Sequence, residues 1–388
     1  MVKNKLSEAF RMELNTSNRI FGLDFLRFVA IMMVLLGHAN MLLPKFASDF
    51  IKYYLLDGVA IFFVLSGFLI GGILIRQLEK GKDGWGDLLY FWKRRWMRTL
   101  PAYFLVLTVI LVYTLIVDPS LLPDHAWKFY LFVQNLFEPR PGLFGEAWSL
   151  SIEEWFYLLI PLFIFTGIAV FRSSPKRIVL AVIVIVIAAV LLYRYWIYQS
   201  IMCDTTIKTF KELHFRGDEL ITYRVIPRLD ALMFGVFGAY LMQYFPKIWA
   251  ASNSYFRVWL FFLGIVLLYA CKRNNATDFE VYDGVFAHAT RSISVLLTLP
   301  FLSTLVVRPN WLTRFITFIS LISYSMYLLN LKIVLLMIMK NGIYHQMTGK
   351  FHVHAHWQLD YGIFWVILVL LSYLMYQFIE LPFMKLRK

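Results

Sequence analysis

The sequence predicts an all-α polytopic membrane protein of about ten transmembrane helices, on three observations. Its 388 residues are 60% hydrophobic and only 16% charged, where a soluble domain is roughly 45 to 50% apolar and about 25% charged. Apolar runs of the roughly 17 to 25 residues that cross a bilayer recur along the chain. They lie near 23–43, 57–78, 99–117, 148–170, 178–198, 229–245, 256–271, 291–307, 315–339 and 359–379. The positive charges, finally, fall between these runs. Thirty-eight Lys and Arg against 24 Asp and Glu give +14, a charge that in a soluble protein would suggest nucleic acid but here reads as topology, so no nucleic-acid partner is expected.

From the start of the chain, "MVKNKLSEAFRMELNTSNRI" is charged throughout and lacks the apolar core and cleavage site of a secretory signal, which places it in the cytoplasm. With ten spans the inner loops must be the basic ones. They hold Lys93, Arg94, Arg95 and Arg98, then Arg172, Lys176 and Arg177, then Arg308 and Arg314, and finally the tail "KLRK". Both termini are therefore expected in the cytoplasm, in a multi-pass protein of the cell's inner (cytoplasmic) membrane. The patch "AWKFYLFVQNLF" at 126–137 is too short to cross and is assigned as re-entrant or interfacial; counting it as a span would put "RSSPKR" outside. No repeat or second soluble domain is visible, so 1–388 reads as one domain. Cys203 and Cys271 fall on the outer side and have no metal spacing. Two free thiols is the preferred reading over a disulfide, since sequence gives no distance between them.

Several charges stand where lipid makes them costly. Arg27 and His38 are eleven residues apart in the first span, about three helical turns and roughly 16 Å, so they share one face. Asp24 and Arg27 have the spacing of a helical ion pair, and His38 alone fits a histidine bonded between packed helices as well as a base. Arg95 and Arg98 share a face in "FWKRRWMRTLPAY", the spacing with which two guanidiniums grip one phosphate cluster; a positive-inside anchor is the alternative. Glu153 and Glu154 are adjacent in "EAWSLSIEEWFYLLIPLF". Helical neighbours differ by about 100°, so both cannot face one partner. Arg228 and Asp230 in "RVIPRLDALMFG" suit an ion pair or a functional role, and the alternating His352, His354 and His356 suit a solvated loop better than a metal site. No metal is expected.

These stretches together resemble the integral-membrane acyltransferase-3 family. "GLDFLRFVAIMMVLLGH" is similar to its signature of a basic residue, ten residues and a histidine, with Arg27 and His38 in the signature positions. "GVAIFFVLSGFLI", "RWMR", "WSLSIEEWFY", "RLDALMFG", "ISYSMYLLN" and "ELPF" follow in the family's order. Two positions depart from it: Asn330 stands where many members have His, and Trp155 replaces a common Gln. The chain resembles a stand-alone membrane domain, too short to include the extracytoplasmic SGNH-type esterase domain of many members.

The resemblance implies an O-acyltransferase that takes an acyl group, on family grounds acetyl, from cytoplasmic acyl-CoA and delivers it to a hydroxyl of an extracytoplasmic carbohydrate or glycolipid. His38 would be the catalytic base, Arg27 its signature partner and Glu153 the carboxylate that orients or charge-stabilises it. Arg95 and Arg98 would hold the acetyl-CoA donor. Asp24, Glu154, Tyr157, Arg228 and Asp230 are carried as substrate-binding positions, the last two shaping the acceptor mouth. The alternative is a transporter or flippase of a glycan precursor, whose intramembrane charges carry ions or substrate. The sequence leaves the acceptor, the acylated position and the oligomeric state open.

Overall fold

The computed structural model describes residues 19–138, 142–207, 209–249, 254–272, 279–340 and 357–386, and every regular element among them is a helix. That is the form expected in hydrocarbon, where the backbone must satisfy its own polar groups. Eight helical segments are long and apolar enough to cross a membrane; a ninth is a pair, Lys211–Thr222 and Ile226–Tyr244, bent by 82°. Ser254–Ala270, 17 residues, is shorter but apolar. All ten coincide with the apolar runs. Their helical cores are α1 Phe21–Ala39, α2 Gly58–Leu78, α3 Trp85–Val117, α4 Ala147–Phe171, α5 Pro175–Met202, α6 Leu229–Tyr244, α7 Ser254–Ala270, α8 Ala287–Leu302, α9 Trp311–Leu329 and α10 Trp357–Met375.

Two apolar cores organise the bundle. The first gathers α2, α4, α5, α6 and α8; the second gathers α3, α9 and α10. Helix α1 joins both, giving Leu26 and Ala30 to the first and Ile31, Val34 and Leu35 to the second. The signature residues of α1 thus lie along the seam. Within the first core α2 and α6 touch backbone to backbone: a Cβ on Gly67 would lie 1.9 Å from the Leu232 carbonyl oxygen, and one on Gly235 2.1 Å from that of Val64. Small residues permit such approach in lipid, where packing rather than water exclusion drives association.

Proline places a tie between α3 and α4. Pro161 has no N–H to give the Tyr157 carbonyl one turn earlier, and the Trp92 indole donates to that carbonyl instead, at 2.9 Å. The bond fixes the basic stretch of α3 against the two glutamates of α4.

The segment 126–137 holds only a short 3-10 turn, Ala126–Phe129, and irregular turns. It is stitched to the bundle. Phe129 and Phe132 accept from Tyr103 and Trp155, each at 2.9 Å, Gln134 donates to Ser151 at 2.5 Å, and Asn135 donates to the Trp148 and Tyr223 carbonyls at 3.0 and 2.7 Å. Its inner side, Phe129, Phe132, Gln134 and Asn135, is buried in the protein while Trp127, Leu131 and Phe137 are exposed, and the hydrogen bonds to the bundle satisfy part of its irregular backbone. Trp155, a departure from the family pattern, therefore has a structural partner. Both cysteines are free: Cys203 is exposed at the end of α5, and Cys271 accepts a hydrogen bond from Tyr282 at 3.3 Å.

Candidate active site

Between α1, α2, α3, α4 and α9 lies an open cleft with a cavity volume of about 110 Å³. Its charged lining is uneven: three arginines, Arg27, Arg95 and Arg98, against one carboxylate, Glu153. Both members of the Arg95–Arg98 pair reach it, as one helix face requires. From Ile73 to Val59 the cleft follows α2 for fourteen residues, roughly 21 Å of rise, from the arginine end to a wall formed by Ser149 and Tyr327.

At the arginine end the polar groups are interlocked. Arg95 donates to the Tyr157 hydroxyl and lies over that ring, 4.0 Å from its centroid. The Tyr157 hydroxyl donates to Glu153 at 2.6 Å, Ser66 donates to the other Glu153 oxygen at 3.1 Å, and Arg95 stands 3.7 Å from the carboxylate. Glu154 turns away, as helical geometry demands, and accepts from Thr99 at 2.8 Å. Asp24 is gripped by Arg19 at 2.9 and 2.5 Å, accepts from Ser320 at 3.0 Å, and lies 3.8 Å from Arg27. It ties α1 to α9, while the guanidinium of Arg27, 3.8 Å away, lines the cleft wall.

His38 sits at the other end of α1, half-buried. Its Nδ1 lies 2.5 Å from the Asn330 side-chain oxygen, so the partner at Nδ1 is this amide, while Glu153 serves Arg95, Tyr157 and Ser66. Asn330 follows α9 by one residue and opens a π-helical stretch, Asn330–Lys340. Its neighbourhood is keyed to α4: the Tyr327 and Ser149 hydroxyls are 2.6 Å apart, and buried Glu146 accepts from the Leu331 and Lys332 backbone at 3.0 Å each.

Arg228 and Asp230 are both buried, and each has a partner other than its neighbour. Asp230 pairs with Arg194 of α5; Arg228 bonds His288 of α8 and lies 5.6 Å over the ring of Phe63. Arg228 backs the cleft through Phe63, which lines it. Sequence reasoning passed over Arg194, His288, Glu146 and Asn330's role. The signal for Arg194 was available: a lone charge in the apolar run of α5 needs an intramembrane partner. Among the described residues no group of three His, Cys, Asp or Glu side chains is placed to hold a metal; the alternating histidines at 352–356 lie outside them.

Comparison with known proteins adds to this geometry. A family model described as an acyltransferase domain, of the acyltransferase-3 type, matches residues 20–377. The peptidoglycan O-acetyltransferase OatA of Listeria monocytogenes is 32% identical over 176 residues, 42% of this chain and 26% of that protein. The O-acetyltransferase OatA of Staphylococcus aureus (strain NCTC 8325) is 35% identical over 175 residues, 41% of this chain and 26% of that protein. The putative peptidoglycan O-acetyltransferase YrhL of Bacillus subtilis is 31% identical over 185 residues, 44% and 28% of the two chains. The matched region of this chain spans about a quarter of the length of these curated relatives. No solved structure matches.

Proposed function

Because the chain belongs to the acyltransferase-3 family, we propose that it moves an acetyl group from acetyl-CoA to a hydroxyl of a cell-envelope carbohydrate, with His38 as the base. The observation that carries this reading is the cleft: three guanidiniums at one end suit the phosphates of CoA, and its lining follows α2 for roughly 21 Å to Tyr327, whose carbonyl accepts from the Asn330 amide that meets His38. The relatives' names point to a peptidoglycan-like acceptor.

In the proposed reaction the acceptor oxygen attacks the thioester carbon while its proton passes to His38. The new C–O bond forms, the C–S bond breaks, and the proton leaves with the CoA thiolate as the free thiol. Placing the basic loops in the cytoplasm puts the arginine end inside, so CoA enters from the cytoplasm and the acceptor hydroxyl approaches from outside. No CoA has to cross the membrane. Glu153, bonded to Arg95 and Tyr157, holds the donor's anchor in place, and Arg27 shares the phosphate site; Arg228 supports the wall behind Phe63.

The test is calorimetric affinity for acetyl-CoA in detergent. Hydrogen bonds to charged groups contribute about 1.5 to 3 kcal/mol, so Arg98→Ala is expected to weaken binding about 10- to 100-fold, with Lys rescuing only part because it lacks the planar fork. Arg98 is the cleaner probe, since loss of Arg95 also takes the cation from beside Glu153 and the bond from Tyr157. Unchanged affinity in both Arg95→Ala and Arg98→Ala would move the donor site elsewhere.

A further inference from the structure

We propose that Asn330 is a positioning residue that sets the tautomer and ring orientation of His38, an inference that rests on the reading of His38 as the base. The amide's own orientation is decided by its surroundings. Its nitrogen donates to the Met326 and Tyr327 carbonyls at 3.2 and 2.6 Å; turned over, its oxygen would face two carbonyl oxygens with no proton between them. The oxygen therefore points at the imidazole, 2.5 Å from Nδ1. An amide oxygen only accepts, so Nδ1 carries the proton and Nε2 keeps the lone pair. A base with its lone pair on Nε2 can take a proton; the other tautomer would turn an N–H toward that work.

The surrounding structure holds this arrangement in place. Asn330 is fully buried, and it stands where the helix changes from α to π, a break often found at functional sites. The backbone just beyond it is clamped by Glu146, whose Oε1 accepts both the Leu331 and Lys332 N–H groups. One turn earlier, Tyr327 is bound to Ser149 at 2.6 Å. The amide thus rides on a segment fixed to α4 from both sides. A carboxylate holds the imidazole in serine hydrolases and fixes its tautomer; here a neutral amide does so without adding a buried charge.

The experiment compares Asn330→Leu, Asn330→Asp and His38→Gln in proteoliposomes supplied with acetyl-CoA and soluble peptidoglycan fragments, reading CoA release. Leu keeps the branched outline of the side chain, with bulkier methyls, and removes the acceptor; Asp, protonated on the oxygen that faces the Met326 and Tyr327 carbonyls, still accepts from Nδ1 with the other. Asn330→Leu is expected to lower kcat about 100-fold, on the scale of a displaced base, while the KM for acetyl-CoA stays put. Asn330→Asp should recover kcat to within about tenfold of wild type. Ring-nitrogen NMR of isotope-labelled histidine, with the His38 signal identified by its loss in His38→Gln, should show the Nδ1–H tautomer in wild type and its loss in Asn330→Leu. A silent His38→Gln with a full-rate Asn330→Leu, or an Nε2–H tautomer in wild type, overturns the inference alone. Full activity in His38→Gln overturns the reading of the base, and this inference with it.

Discussion

Replacing His38 by alanine is expected to lower the rate of acetyl transfer about 1,000-fold, within the range general acid–base catalysis contributes, while affinity for acetyl-CoA is unchanged. The second half follows from distance: Arg27 is about three turns and roughly 16 Å away along the same helix. The loss should be chemical rather than structural. His38 is half-buried and its bond to Asn330 contributes about 1 kcal/mol to folding. His38→Gln is the control for fold, because its amide can still donate to Asn330 but cannot take a proton. Expression, thermal unfolding and turnover measured together decide the matter; wild-type turnover in either variant would end the assignment.

Arg194→Ala is expected to cost about 3 to 5 kcal/mol of stability, the penalty for leaving one charge of a buried pair uncompensated. Arg194 and Asp230 are wholly buried, and Arg194 also donates to the Pro227 carbonyl at 2.6 Å and the Val285 carbonyl at 3.0 Å. One side chain on α5 therefore holds the turn entering α6 and the π turn before α8. A charge pair of this kind is often replaceable by apolar residues as a unit. The double change Arg194→Met with Asp230→Leu should accordingly unfold later on heating in detergent than Arg194→Ala. A wild-type melting curve for Arg194→Ala would show that the pair holds nothing together.

How far the sequence reaches differs from element to element. Each of the ten apolar runs became a helix, because length and hydropathy alone answer whether a segment can satisfy its backbone in lipid. Relations within one helix were equally legible: Arg95 and Arg98 share the cleft, and Glu153 and Glu154 part toward Ser66 and Thr99. Partners between helices were not. The residue that meets His38 lies 292 positions further along the chain, and no periodicity links the two. Arg228 and Asp230 looked like a pair because they are close in sequence, yet each found its partner on another helix, Arg194 for the acid and His288 for the arginine. Glu146 was hidden for another reason: it works by accepting backbone N–H groups, and any sequence supplies those.

The central claim is that the acetyl group passes from a donor bound at the arginine end to an acceptor hydroxyl at His38. Its most direct test is a transfer measurement in proteoliposomes carrying the purified protein, loaded with radiolabelled acetyl-CoA inside and offered peptidoglycan fragments outside. The expected result is labelled ester on the outer glycan, free CoA retained inside, and neither product from His38→Ala. Intact acetyl-CoA, with glycan fragments carried across the membrane unlabelled, would contradict it and leave the protein a transporter.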